Sequence, residues 1–154
     1  MTRDLVLIHS TGQSATGWDP VVRALASWRT SVHAVELPND DPTRHADDYA
    51  EAIAEQVGAL ERPVVLAHSG CGLILPAAAQ RLEASVQVWL AAIVPSREAS
   101  LIEELATHAH EAFNPEWIGV NPIGDPGVAR EFLFHDCDEE TFAWAMTDTR
   151  RSRS

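Results

Sequence analysis

Short apolar runs alternate with amphipathic stretches along the first 95 residues of the chain. Runs of β-branched and aliphatic residues predict four buried strands, at Leu5–Ile8, Ser31–Leu37, Val64–Ala67 and Val86–Val94. Between them, apolar residues that recur every three or four positions predict helices, one beginning at Asp19 and the others covering Tyr49–Leu60 and Gly72–Leu82. This alternation predicts an α/β fold, with a parallel sheet between helices on both faces.

The order of the strands follows from the handedness of their connections. Crossovers between parallel strands are right-handed, and we therefore expect a three-layer αβα arrangement with strand order 2-1-3-4. In such a sheet the ligand crevice lies at the carboxyl ends of strands 1 and 3. His9 and Ser69 follow those two strands directly, so we expect their loops to meet there.

From Ser96 onward the pattern changes to helices and turns. A capping-box pattern covers Ser100–Glu103, a loop covers Asn121–Gly127, and two helices are predicted at Val128–Leu133 and Glu139–Met146. No further strand is predicted. We therefore divide the chain into a core at 1–95, a helical cap or annex at 96–148, and a disordered tail at 149–154.

Charge and composition narrow the classes of partner. The net charge of -12 argues against binding to nucleic acid or to an anionic membrane. The 11 basic residues are all arginines, so Schiff-base chemistry and a P-loop lysine are excluded. The two cysteines are isolated, and the Leu5–Ile8 run is too short for a secretory core or a membrane span. We expect a cytoplasmic protein with reduced thiols and no cofactor.

Candidate chemistry is concentrated where the third strand ends. The segment Val64–Gly72 reads Val-Val-Leu-Ala-His-Ser-Gly-Cys-Gly, in which an apolar strand stops at a serine flanked by small residues and a helical pattern follows. Such a strand–turn–helix elbow presents a nucleophile, here Ser69. The oxyanion donors would be the N–H groups of Gly70 and of Thr11, in the loop after the first strand. The plainer interpretation of Ser69 is a small residue in a tight turn.

We assign His9, Ser10 and His68 to the pocket. His9 is expected to be a structural loop histidine, and His68 to point away from Ser69 into packing. Cys71 lies past the apex of the turn, which disfavours it as the nucleophile. The run His135–Asp138 contains metal-competent groups, but adjacent residues rarely converge on one ion, so we predict no metal site.

The chain resembles the α/β-hydrolase superfamily, and within it the plant salicylate-ester esterases and hydroxynitrile lyases. The resemblance is carried by Leu7–Gln13 with Trp18, by Ala67–Gly72 and by Trp89–Pro95. It implies that Ser69 is the nucleophile of a serine hydrolase acting on a small carboxylic ester or acyl compound, that Thr11 and Gly70 form the oxyanion hole, and that His9 packs beneath that loop.

The sequence also departs from the family pattern. Ser10 replaces a glycine of the esterases, as in the lyases, whereas His68 matches the esterases; Ala67 and Cys71 replace usual glycines. The family's catalytic acid and histidine follow later strands that are absent from this sequence. They are therefore carried over onto no residue here, and Asp136 matches a cap position instead.

Three alternatives follow from that departure. A base could come from His108, His110 or His135 if the cap folds over the elbow. The chain could instead be an inactive, truncated pocket protein that binds a small acyl or aromatic ligand, with its sheet edge at Val86–Val94 pairing with a second copy in a homodimer or with another chain. A lyase assisted by Ser10 would need the same missing base.

Overall fold

The computed structural model describes residues 3–28, 30–38, 43–96, 114–117, 119–122 and 125–151. Its strands are β1 (Leu5–Ile8), β2 (Val32–Val35), β3 (Val64–His68) and β4 (Val86–Leu90). The α-helices are α1 (Asp19–Leu25), α2 (Ala46–Val57), α3 (Leu75–Arg81), α4 (Pro126–Phe132) and α5 (Glu139–Arg151), with 3₁₀ helices at Ala15–Trp18, Ser69–Ile74 and Pro115–Trp117.

The sheet is parallel, with the order β2-β1-β3-β4. This confirms the predicted α/β fold and strand order. In the β1–β3 pairing Ile8 lies opposite Ala67. The loop that begins with His9 and the loop that follows β3 therefore leave the sheet at the same edge. The register thus places the two predicted site loops side by side.

One face of the sheet carries the main core. Val6, Ile8, Val65 and Ala67 point to it and are fully buried with Ile53 of α2 and with Leu75 and Ala78 of α3. The opposite face is less completely covered toward β4, where the exposed fractions of Val86 and Leu90 are 40% and 45%. Edge strand β4 thus leaves apolar surface open, and its pairing with a second copy stays a prediction.

Several elements differ in their bounds from the sequence expectation, and two of these differences lie beside the Ser69 turn. β4 stops at Leu90 instead of Val94, because Ala91 takes a positive φ of 43° that ends the extended conformation. The helix after Ser69 starts as a 3₁₀ helix and becomes α-helical only at Leu75, where Pro76 occupies the first turn. Proline lacks an N–H, and the first turn is the place where that group has no partner in the helix.

The second half of the chain contains no strand in its described segments, as expected. α4 begins at Pro126, two residues before the predicted start, and its N-cap Asp125 accepts hydrogen bonds from the N–H groups of Gly127 and Val128. α5 extends to Arg151, so residues 149–151, assigned to the tail from the sequence, belong to this helix. The predicted capping box at Ser100–Glu103 lies outside the described residues.

Among the described residues, no helix is both long enough and apolar enough to cross a membrane.

Candidate functional site

Ser69 occupies a strained turn directly after β3. Its φ is +56°, in the left-handed region that residues with a side chain rarely adopt. The N–H of Ile93 donates a 3.0 Å hydrogen bond to the carbonyl oxygen of Ser69, which ties the chain after β4 to the turn. Strain of this kind costs of order 1–3 kcal/mol and persists only where the surrounding structure enforces it.

Gly72 shows why the elbow needs small residues. A Cβ atom at this position would lie 2.2 Å from the carbonyl oxygen of Ile93, far inside van der Waals contact. The helix that follows the elbow can therefore approach the segment after β4 only because position 72 has no side chain.

The two predicted oxyanion donors come from separate loops and lie against each other. A Cβ atom on Gly70 would lie 3.0 Å from Cγ2 and 3.1 Å from Oγ1 of Thr11. Gly12 follows Thr11 with a φ of +81°, a conformation that glycine adopts without strain. Gly70 is the second residue of the 3₁₀ helix, so its N–H has no acceptor within that helix. The contact places the side chain of Thr11 against Gly70, the residue that follows Ser69.

His9 is held by backbone groups on both sides of its ring. Its side chain is buried, Nε2 accepts a 3.1 Å hydrogen bond from the N–H of Leu37, and Nδ1 lies 2.9 Å from the carbonyl oxygen of Ser10. This places the proton on Nδ1. The exposed carboxylate of Glu36 lies 3.4 Å from Nε2, but the Leu37 N–H already occupies that nitrogen's lone pair. Neither ring nitrogen is free to take a proton from Ser69.

Ser10 is likewise engaged. It is buried, and its hydroxyl donates a 3.2 Å hydrogen bond to the carbonyl oxygen of Thr11. The carbonyl oxygen of Ser10 accepts from the N–H of Gln13 at 3.2 Å, which closes a turn around Thr11. The hydrogen bonds of Ser10 therefore stabilise the turn that contains Thr11.

A small cavity of about 150 Å³ lies next to the elbow. Its walls are mainly apolar, and the residues that line it are His9, Gln13, Gly17, Trp18, Val21, His68 and Leu90. His68 and Leu90 are paired across β3 and β4, so they form part of its floor. Ser69 follows His68 in the chain but is not among the lining residues. The cavity is thus lined by the residue before the proposed nucleophile and not by Ser69 itself.

His68 packs against Trp18 at the cavity wall. Their rings meet edge to face, with centroids 6.1 Å apart. Burial lowers the pKa of His68, because desolvation disfavours the charged imidazolium. Within the described part of the chain, no hydrogen bond joins His68 to Ser69. His68 accordingly has the environment of a packing residue.

The described residues supply no catalytic base for Ser69. His135 is exposed in the turn between α4 and α5, and no hydrogen bond or ion pair links it to the elbow. His108 and His110 lie outside the described residues. Asp136 is exposed, and its carboxylate lies 3.8 Å from Sγ of Cys137.

Cys71 has the properties of an inert thiol. It is buried, and burial raises its pKa to about 11. A thiol with that pKa is almost entirely protonated near neutral pH and is a poor nucleophile. No group of three or more histidine, cysteine or acidic side chains gathers anywhere in the described ranges to hold a metal ion.

Asp148 binds the segment between Thr11 and Trp18, and no sequence pattern points to it. This buried α5 carboxylate accepts hydrogen bonds from the hydroxyls of Ser14 and Thr16, in the segment that leads from Thr11 to Trp18. In a chain with 23 acidic residues, no local pattern marks one of them for burial.

Several solved structures share the fold at low sequence identity. An extracellular alpha/beta-hydrolase from a Paenibacillus species, described as homologous to tobacco salicylic acid binding protein 2, is 16% identical with a TM-score of 0.68, over 96% of this chain and 65% of that one. Polyneuridine aldehyde esterase is 22% identical with a TM-score of 0.72, over 97% of this chain and 69% of its own. A pyrethroid hydrolase is 19% identical with a TM-score of 0.69, over 88% of this chain and 62% of that chain.

The chain thus spans 69% of the length of polyneuridine aldehyde esterase, 65% of the Paenibacillus hydrolase and 62% of the pyrethroid hydrolase. No curated protein matches it significantly in sequence. The sequence profile of the alpha/beta hydrolase family, in contrast, matches residues 5–154, almost the whole chain. The chain therefore belongs to the alpha/beta hydrolase family.

Proposed function

We propose that the site is built for acyl transfer from a small carboxylic ester, with Ser69 as the nucleophile. The observation that carries this proposal is the contact between Gly70 and Thr11 beside a serine held at positive φ. A serine that only filled a tight turn would not require a second loop packed against the residue that follows it.

The proposed reaction uses these groups in sequence. Oγ of Ser69 adds to the ester carbonyl carbon, and the carbonyl oxygen becomes an oxyanion facing the N–H groups of Thr11 and Gly70. The C–O bond then breaks, and the alcohol leaves with the proton that came from the serine hydroxyl. Water then hydrolyses the acyl-enzyme, which releases the acid and restores Ser69. The general base that would move these protons is assigned to none of the described residues.

The cavity offers a place near the elbow where one substrate group can be buried. A volume of about 150 Å³ with apolar walls is similar to that of an engineered cavity that takes benzene. Trp18, Val21 and Leu90 offer contact area to such a group. We therefore assign to the site esters that carry one small aromatic or short aliphatic group. Two of the similar solved structures are named as an esterase and a pyrethroid hydrolase, which is consistent with this class.

A second candidate is a pocket that binds a small acyl or aromatic ligand without turnover. It is favoured by the lack of any imidazole hydrogen-bonded to Ser69 among the described residues. A serine without its base retains only the rate enhancement that the oxyanion hole and substrate binding provide. A lyase that uses Ser10 gains no support, because the Ser10 hydroxyl is buried and donates to the Thr11 carbonyl.

The test is covalent labelling with a fluorophosphonate, together with hydrolysis of a chromogenic short-chain ester. We expect labelling of the wild-type chain that is lost in Ser69→Ala and kept in Ser31→Ala, a matched control at an exposed serine before β2. Equal labelling of Ser69→Ala would refute the role of Ser69. Absence of labelling, combined with saturable binding of a small aromatic ligand, would favour the second candidate.

A further inference from the structure

Asp148 is a buried carboxylate that the proposed reaction does not use. Its exposed fraction is 3%. Oδ1 accepts hydrogen bonds from the Ser14 hydroxyl at 2.5 Å and the Thr16 hydroxyl at 2.7 Å, and Oδ2 accepts from the Ser14 N–H at 3.4 Å. No arginine or histidine forms an ion pair with it among the residues described. A buried charge is costly unless such donors satisfy it, so these hydrogen bonds fix where the carboxylate sits.

The partners of Asp148 lie within the segment 11–18, between the proposed oxyanion residue Thr11 and the cavity residue Trp18. Ser14 is the N-cap of the 3₁₀ helix Ala15–Trp18, and it follows the proposed oxyanion residue Thr11 by three positions. A Cβ atom on Gly17 would lie 3.0 Å from Oδ2 of Asp148, so the segment and the carboxylate are in close contact. Trp18, at the end of the same helix, forms a wall of the cavity.

We infer that Asp148 is a positioning residue: from α5 it holds the segment 11–18 so that Thr11 faces the elbow and Trp18 lines the cavity. Its effect on reactivity rests on the proposed function, whereas its effect on the segment does not. The contact joins residues 134 positions apart. Docking of the second half of the chain thereby controls the geometry of a site that the first half contains.

The competing explanation is that Asp148 only attaches α5 to the rest of the molecule. A matched control separates the two roles. Asp138 lies at the other end of the same helix, is exposed, and accepts a 2.8 Å hydrogen bond from the N–H of Thr141. Asp138→Ala therefore removes an acidic residue and weakens α5, but it touches no residue of the segment 11–18.

The experiment measures two quantities on Asp148→Ala, Asp148→Asn, Asp138→Ala and the wild type. The first is amide hydrogen exchange of peptides covering residues 10–18. The second is fluorophosphonate labelling of Ser69, separated into the rate constant at saturating reagent and the concentration for half-saturation.

In Asp148→Ala we expect exchange in this segment to rise about tenfold or more, while α2 and α3 keep their protection. The labelling rate constant should fall about 10- to 100-fold, with the half-saturating concentration changed less than about threefold, because donor geometry affects the transition state more than binding. Asp148→Asn keeps an acceptor for the two hydroxyls and should recover most of both losses. Asp138→Ala should resemble the wild type.

Unchanged exchange at 10–18 in Asp148→Ala would overturn the inference, as would equal effects of Asp138→Ala and Asp148→Ala. If the wild-type chain is not labelled at all, the proposed function fails, and the exchange measurement alone decides the role of Asp148. If Asp148→Ala does not fold, Ser14→Ala and Thr16→Val remove the donors one at a time. Each should raise exchange at 10–18 by a smaller factor, and no increase in either would refute the inference.

Discussion

Gly70→Ala tests the contact between the two loops most sharply. The new Cβ would lie 3.0 Å from Cγ2 and 3.1 Å from Oγ1 of Thr11. Ordinary van der Waals contact begins near 3.4 Å. The two residues must therefore move apart by about 0.4 Å. We expect the Thr11 loop to move. Overpacking of this size costs about 1–3 kcal/mol, and alanine's advantage over glycine in a helix returns about 0.5–1 kcal/mol.

The reactivity of Ser69 should change more than the stability. Loss of one oxyanion donor reduces the rate about 100- to 1000-fold, so partial displacement of the Thr11 N–H should reduce fluorophosphonate labelling about 10- to 100-fold. The free energy of unfolding, measured by urea denaturation, should fall by no more than about 2 kcal/mol.

A second substitution provides the control. Thr11→Ala removes both clashing atoms but keeps the backbone N–H, so the double variant Gly70→Ala/Thr11→Ala should recover most of the labelling rate that Gly70→Ala loses. Wild-type labelling by Gly70→Ala, or no recovery in the double variant, would refute the argument that these two residues meet at the reacting centre.

Three further predictions concern neighbouring groups. Gly72→Ala places a Cβ 2.2 Å from the Ile93 carbonyl oxygen and should lower the free energy of unfolding in urea by about 2–4 kcal/mol; an unchanged midpoint would contradict that contact. The imidazole of His68 should titrate by NMR below pH 6.5, because burial lowers its pKa. The free energy of unfolding should then decline as the pH falls below 6.5, because the unfolded chain takes up a proton that the folded chain does not. His68→Gln should lessen this decline. Cys71, with a pKa of about 11, should react with iodoacetamide at pH 8 more slowly than Cys137, which is more exposed; equal rates would contradict its burial.

The strand order was predictable because each strand is a short apolar run followed by a stretch with helical periodicity. Crossovers between parallel strands are right-handed, which restricts the order of the strands. The meeting of the Thr11 and Ser69 loops followed from that order, since the carboxyl ends of neighbouring parallel strands share one edge. The early end of β4 was not predictable, because Ala91 adopts a positive φ that its residue type does not favour.

The elbow at Ser69 could be predicted from the sequence, but the contact between Asp148 and the neighbouring loop could not. Small residues around Ser69 mark a tight turn locally, whereas the link between Ser14 and Asp148 joins distant segments and depends on how α5 docks. Similarly, a structural role for His9 in its loop was expected, but its hydrogen bond from the Leu37 N–H depends on the pairing of β2 with β1.

The most direct measurement is peptide mass spectrometry of the chain after reaction with a fluorophosphonate, which identifies the residue that carries the phosphonyl group. A single adduct on Ser69, absent when the protein is unfolded in urea before labelling, is the result expected here. An adduct spread over several serines, or one that survives unfolding, would mean that the turn after β3 does not activate its hydroxyl.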